Sequence, residues 1–278
     1  MDKNVKVLML MPGSILIIFF MILPLINSII PTFSYEDSLS LKSYWDFFRD
    51  SYNLSIIIRT LRISLIVTLI TVLLGIPTAY YISTVSKKIR RLLLALVLFP
   101  LLTNSVIRSF AWITILGKNG VINKWLLSVH LINEPVNLLY TEFAIIIGSV
   151  YLFLPTMITT LTGVFETIEP EMLEASETLG ATTLQTFFKV IVPLAVPGAI
   201  VGSTLVFTGT FTAYTTPQLL GGNQKMMLAT LLYQKASTLG DWHSVGIIGL
   251  TMIVITFIVM KLFDKLASLI DRRKVNHA

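Results

Sequence analysis

The chain has 278 residues, of which 54% are hydrophobic and only 13% are charged, and its mean hydropathy is +0.80. A soluble domain could not bury so much apolar surface, whereas a bilayer about 30 Å thick accepts roughly 20 apolar residues per helix, so we predict an all-α polytopic membrane protein. The lack of cysteine excludes disulfides and thiolate metal sites, and the net charge of +6 indicates membrane topology rather than nucleic-acid binding, because the basic residues gather at the ends of apolar runs.

Six apolar windows predict six transmembrane helices. They cover 7–30, 55–84, 92–116, 140–162, 194–216 and 244–263. The first window is longer than the apolar core of a signal peptide, which takes about 7–15 residues, and no small-residue cleavage site follows it. We therefore expect a single transmembrane domain over 1–278, with ordered loops or short helices in the outer connections.

Basic residues set the orientation of these spans. Twelve of them fall on the side of the two termini, where they crowd into short segments such as 86–91 and 271–274. Nine fall on the opposite side, several of them in longer segments mixed with acidic residues. Since short cytoplasmic loops carry the excess of Lys and Arg, we predict that both termini are cytoplasmic (N-in, C-in).

Charged residues inside the windows are few. Arg59, Arg62 and Arg108 lie near outer helix ends, where long basic side chains reach lipid headgroups or a partner. No Asp or Glu lies in the middle of a window, and such residues usually mark proton or ion pathways. An ion-coupled secondary transporter, which would also need broken-helix sites in midmembrane, is therefore the alternative rather than the main prediction.

The sequence offers no catalytic or metal-binding constellation. The three histidines are scattered, and the chain lacks the glycine-rich loop with lysine that cradles nucleotide phosphates. We expect no enzymatic activity, no catalytic residues, no bound metal and no cofactor of its own.

The connection 163–193 is the one substantial segment on the predicted cytoplasmic side. Pro170 is suited to the first position of a helix, and Gly180 to its end, since glycine adopts the left-handed conformation at least cost. Taken alone, the composition also fits an amphipathic loop lying on the bilayer surface.

A second short helix is predicted after the glycine. Thr182 or Thr183 would cap it, and it would run to Lys189. Pro193 and Pro197 would then begin the fifth span, because missing amide donors matter least near a helix start.

The spacing in this connection resembles the signature of ABC importer permeases. Residues 174–193 read EASETLGATTLQTFFKVIVP, where the family has E-A-A-x3-G-x9-I-x-L-P. Ser176, Val190 and Val192 replace the second alanine, the isoleucine and the leucine. The resemblance extends over essentially the whole chain. It is greatest to the spermidine/putrescine branch, whose members have similar sequences to residues 99–123 and 217–246.

This resemblance implies the type I permease fold of ABC importers, in the bacterial cytoplasmic (inner) membrane. The chain would form half of the path for a small solute, spermidine/putrescine or a related compound. The implied partners are two ABC ATPase subunits, which bind the ATP, a second homologous permease, an extracytoplasmic solute-binding protein and membrane lipid, but no nucleic acid. The residues expected to contact the ATPase are Leu173, Glu174, Ala175, Ser176, Leu179 and Gly180. Phe187 and Phe188 would either anchor this contact or pack beneath the spans.

The fifth window contributes the clearest helix-packing signal. Gly198 and Gly202 have the small-xxx-small spacing that lets helices approach closely in lipid. The contact is expected either within this chain or with the second permease.

Near the outer surface, Glu142 and Asp241 would attract a cation or contact a docked binding protein. Aromatic faces that a polyamine cation could pass over are the candidate wall residues of the path: Tyr151, Phe153, Phe207, Phe211 and Tyr214.

Overall fold

The computed structural model describes residues 11–13, 15–35 and 38–270, and these are nearly all helical. The apolar segment Met11–Phe33 comes first and includes helix α1 (Leu23–Ile29), preceded by a π-turn and followed by a 3₁₀ turn. Strands β1 (Ser34–Tyr35) and β2 (Ser38–Leu39) then pair antiparallel in one short hairpin.

The later helices follow in chain order. They are α2 (Lys42–Arg49), α3 (Ser51–Thr84), α4 (Lys87–Leu102), α5 (Ser105–Leu116), α6 (Val121–Ser128), α7 (Glu142–Phe165), α8 (Pro170–Thr178), α9 (Thr183–Thr186), α10 (Val192–Thr212), α11 (Thr215–Gly221), α12 (Leu228–Tyr233) and α13 (Trp242–Ile270).

Five helical segments of the described chain are long and apolar enough to cross a membrane. They are Met11–Phe33, Ser51–Thr84, Glu142–Phe165, Thr183–Thr212 and Trp242–Ser268. A sixth crossing is obtained if Lys87–Leu102 and Ser105–Ser128 are counted as one span, although the pair is bent by 93°. The structure therefore agrees with a polytopic all-α fold of five to six spans.

The third predicted window, 92–116, is not one straight helix. The side chain of Asn104 accepts hydrogen bonds from the amides of Val106 and Ile107 and caps a new helix that begins at Ser105. Arg108 was expected at the membrane interface, but it is buried, and its Nη1 donates to the carbonyl of Pro100 at 2.7 Å. The Arg108 guanidinium thus provides a hydrogen-bond donor for a carbonyl that has no partner within α4, because it lies in the last turn of that helix. An apolar run gives no sign of such a break.

The fifth span also begins earlier than predicted. Helical structure is continuous from Thr183 to Thr212. Pro193 lies in the first turn of α10, as predicted, but π-helical structure precedes it, and Pro197 lies inside α10. A π-turn at Phe187–Ile191 precedes the first proline. Such a turn changes the hydrogen-bond register, which accommodates a residue without an amide proton.

Helices α3, α7 and α10 pack together at the centre of the molecule. At Gly202 a side chain would come within 2.6 Å of Met157 Sδ on α7, and at Gly198 it would meet Val164 more closely still. The small-residue face of α10 therefore packs inside this chain at both positions. Val201 and Leu205, on another face of α10, are exposed.

Helix α13 packs along α10 and against the first apolar segment. The contact with that segment is close at Gly246, which lies against the side chain of Thr32 and the backbone carbonyl of Ser28. The absence of a side chain at Gly246 thus lets the first segment lie directly against the last span.

Candidate coupling segment and membrane path

Helices α8 and α9 form a helix-turn-helix at the position predicted for the coupling segment. Helix α8 starts at Pro170 and ends before Gly180, whose φ of +79° lies in the left-handed region. The amide of Ala181 donates to the carbonyl of Ser176 at 3.1 Å, the long bond of a Schellman motif. Helix α8 thus ends at the predicted glycine, and the Ser176 carbonyl in its last turn has a hydrogen-bond partner.

The cap of the second helix is Thr182, one of the two residues predicted. Its hydroxyl accepts a hydrogen bond from the Gln185 amide at 3.3 Å, and the Gln185 side chain accepts from the Thr182 amide at 2.9 Å. This reciprocal capping box fixes the direction in which the chain leaves the turn.

The predicted ATPase-contact residues fall into exposed and buried groups. Glu174, Ala175, Leu179 and Gly180 are exposed, and Leu179 retains 88% of its accessible surface. Ser176 is buried at 9% exposure, with its hydroxyl 2.9 Å from that of Thr186. The side chain of Leu173 lies outside the described part of the structure.

Two further apolar side chains next to the turn are exposed. Leu184 retains 71% and Phe188 retains 64% of their accessible surface, and the two lie four positions apart in one continuous helix. Side chains at this spacing share a helix face. Leu184 is not among the residues predicted to contact the ATPase. Its position, apolar and two residues after a helix cap in the same polar turn as Leu179, is a sequence signal that could have identified it.

Phe187 differs from Phe188. Its ring packs against Tyr80 with 5.7 Å between centroids, and Tyr80 in turn contacts Phe165 at 5.8 Å. Of the two placements considered for this pair, Phe187 therefore packs beneath the spans and Phe188 stays at the surface.

Arg90 supports the chain just before the coupling segment. Its guanidinium donates to the Ile82 carbonyl at 3.3 Å and also contacts the Ser83 carbonyl, so it caps the end of α3. Its Nη1 lies 2.6 Å from Glu166 Oε1, immediately after α7. In the sequence, Arg90 indicates only the orientation of the spans in the membrane. Its pairing with Glu166 could not be predicted, because the two residues are 76 positions apart.

Ion pairs connect the outer ends of α3 and α7. Glu142 pairs with Arg59, whose Nε lies 3.4 Å from Oε1, and with Arg62. Arg59 also donates to the Met226 carbonyl at 3.0 Å. Both arginines therefore have partners inside this chain, which differs from the lipid or partner contacts expected for them.

Asp241 begins α13. It accepts hydrogen bonds from the Ser244 amide at 3.1 Å and the Ser244 hydroxyl at 2.6 Å, and from Lys235 at 3.2 Å. The Ser244 hydroxyl is the main reason that the pKa of the Asp241 carboxyl lies below its ordinary value, with the amide and Lys235 adding to it against partial burial. Its local role is that of a helix cap.

The candidate wall residues do not share one environment. Phe207 and Phe211 are fully buried and stack at 5.5 Å between centroids. Tyr151 is partly exposed beside Trp112, and Phe153 is half-buried against Gly209.

Tyr214 is half-buried, and its ring lies 4.3 Å from that of Tyr233. The wall role of all five stays a prediction, and for Phe207 and Phe211 it would require a change in helix packing.

Comparison with known proteins identifies the family. The family described as "Binding-protein-dependent transport system inner membrane component" matches residues 71–276. The chain is 31% identical over 264 residues to the spermidine/putrescine transport system permease protein PotB of Haemophilus influenzae, covering 92% of each chain. It is 30% identical over 224 residues to PotB of Escherichia coli, covering 81% of this chain and 82% of that one.

Solved structures agree on the fold. A chain of a bacterial alginate ABC transporter, solved with an alginate-bound periplasmic protein, superposes with a TM-score of 0.80 over 99% of this chain and 96% of that one. At 19% identity this likeness concerns the fold, which is the type I permease fold predicted from the sequence. The chain therefore belongs to the family of inner membrane components of binding-protein-dependent transport systems, and it is a multi-pass permease subunit of an ABC importer.

Proposed function

We propose that this chain forms half of the translocation path of an ATP-driven importer, with spermidine, putrescine or a related compound as the solute. A second homologous permease would form the other half. Two ATPase subunits would complete the complex, one of them docking at α8 and α9 on the cytoplasmic side, and a binding protein would deliver the solute from outside.

The helix-turn-helix at 170–186 is the observation that carries the proposal. Its turn is closed by Gly180 and capped by Thr182, while Leu179 and Leu184 project from it with most of their surface free. Exposed apolar side chains on a rigid turn favour contact with another protein. A flexible surface loop would not need a Schellman motif followed by a capping box.

The charges of the described spans favour ATP as the energy source. Glu142 lies in the first turn of α7 and is already paired with two arginines. Asp264 lies near the inner end of the last span. Neither occupies the midmembrane position at which ion-coupled transporters bind their coupling ion.

The solute class is supported by relatives rather than by a bound molecule. Both PotB proteins are named for spermidine/putrescine transport, and the similarity to the H. influenzae protein covers nearly all of this chain. Partly exposed aromatic rings such as Tyr151 provide faces that attract a cationic solute without a fixed carboxylate.

Copurification tests the assembly. The tagged chain is purified from its native membrane in mild detergent, and accompanying proteins are identified by mass spectrometry for the wild type, Glu174→Arg and Gly180→Pro. We expect an ATPase and a second permease with the wild type and loss of the ATPase from both variants. The intact complex is then reconstituted in liposomes and assayed for uptake of labelled spermidine and putrescine with ATP inside. Uptake by the chain alone, driven by an ion gradient without ATP, would instead support a secondary transporter.

A further inference from the structure

A buried hydroxyl pair links the two helices of the coupling segment. The Oγ atoms of Ser176 on α8 and Thr186 on α9 are 2.9 Å apart, and their residues retain 9% and 6% of their accessible surface. The surrounding segment is exposed, including Glu174 and Leu179. Among the described side chains of this segment, Ser176 and Thr186 thus form a buried contact beside exposed neighbours.

Serine at this position is a departure from the permease signature, which has alanine there. Alanine has no group that could bond to Thr186. Because both hydroxyls are buried, removing either one leaves the other without this partner, which costs more than the bond alone contributes.

Because of where Thr186 lies, the hydrogen bond connects α8 to the fifth span. Thr186 lies in the continuous helix Thr183–Thr212, whereas α8 precedes that helix and is connected to it along the chain by the turn at 179–182. The Schellman motif and the capping box determine how each helix ends, but neither joins one helix body to the other. The hydroxyl pair does so across ten positions of sequence.

We infer that the Ser176–Thr186 hydrogen bond positions α8 against the fifth span, so that displacement of α8 by an ATPase subunit moves the span with it. Both are positioning residues, and neither needs to touch the ATPase or the solute. This inference rests on the proposed function. It predicts that loss of the bond lowers transport per ATP hydrolysed more than it lowers assembly or ATP hydrolysis.

The test compares Ser176→Ala, Thr186→Val, the double variant and Ser176→Thr, which keeps a hydroxyl. Thr167→Val is the matched control, because its hydroxyl bonds only to the carbonyl of Val164 three residues earlier. Amide hydrogen exchange over 170–186 is measured on the purified complex. Labelled spermidine uptake and ATP hydrolysis are measured on the same complex in liposomes.

We expect exchange over 170–186 to rise about fivefold in each single variant, the effect of one net hydrogen bond on a local opening equilibrium. Spermidine imported per ATP should fall about threefold, by the same reasoning. The double variant should be no worse than either single one, and Ser176→Thr and Thr167→Val should resemble the wild type.

Unchanged exchange in both single variants would overturn the link itself. Raised exchange with unchanged spermidine per ATP would overturn its role in coupling. If the wild-type complex hydrolyses ATP without importing spermidine or putrescine, the proposed solute is wrong, while hydrogen exchange still decides whether the bond holds the two helices together.

Discussion

Replacing Gly246 by alanine tests how the first apolar segment is attached to the rest of the molecule. The new Cβ would lie 2.5 Å from the carbonyl oxygen of Ser28 and closer still to the methyl group of Thr32. A backbone carbonyl cannot rotate away as the end of a flexible side chain can. The first segment would have to move by about 1 Å to restore ordinary van der Waals separation.

The same helix contains its own control. At Gly249 the nearest atom to a new Cβ is Leu232 Cδ1 at 4.0 Å, which is an ordinary contact. Overpacking of this kind costs about 1–3 kcal/mol, whereas alanine in place of glycine inside a helix contributes about 0.5–1 kcal/mol. Gly246→Ala should therefore lower the free energy of unfolding by about 1–2 kcal/mol, and Gly249→Ala should raise it slightly.

Both variants are compared with the wild type by thermal unfolding in detergent, followed by circular dichroism in the far ultraviolet. Protease sensitivity around residues 28–40 reports whether the first segment has moved. Equal midpoints for Gly246→Ala and Gly249→Ala would show that the close contact between the first segment and α13 is absent, and the reasoning would fail.

Three further predictions concern the turn, the outer ion pairs and the last helix cap. Gly180→Ala places a side chain at φ +79°, which should cost about 1–2 kcal/mol and speed amide exchange in the turn, while Gly163→Ala, also in open space but within a helix, should not. Glu142→Gln leaves half-buried Arg59 without its charge partner and should lower the detergent unfolding midpoint, by about 1–2 kcal/mol in free energy; an unchanged midpoint would contradict the pairing. Because the folded pKa of Asp241 is depressed, its stabilisation is complete above the unfolded pKa and is lost as pH falls below about 4. Asp241→Asn keeps an acceptor but removes the titration, so its midpoint should vary less than that of the wild type below that pH; identical acid profiles would contradict this role.

Features set by a few neighbouring residues could be predicted from the sequence. Pro170, Gly180 and Thr182 act through their own dihedral angles or through atoms within five residues, and the structure has each in its predicted place. The motif spacing likewise identified the family, because it lies within a single segment.

Features that join distant parts of the chain could not be predicted in this way. Arg59 and Glu142 are 83 positions apart, and nothing in either segment indicates the other. The full burial of Phe207 depends on which face of α10 meets α13, a choice that an apolar residue on an apolar helix does not reveal. The bend after Leu102 depends on Asn104 competing with a helix that the hydropathy pattern would continue.

The unbroken helix Thr183–Thr212 has 30 residues and, at 1.5 Å per residue, is about 45 Å long. A helix of that length is long enough to cross a membrane, and under the proposed function it would act as a lever with one end beside the turn at 179–182. Tilting it by about 10° about its midpoint would displace each end by about 4 Å, in opposite directions. Under the proposed function, a push at the inner end and an opening at the outer end would then be produced by a single rotation of this helix.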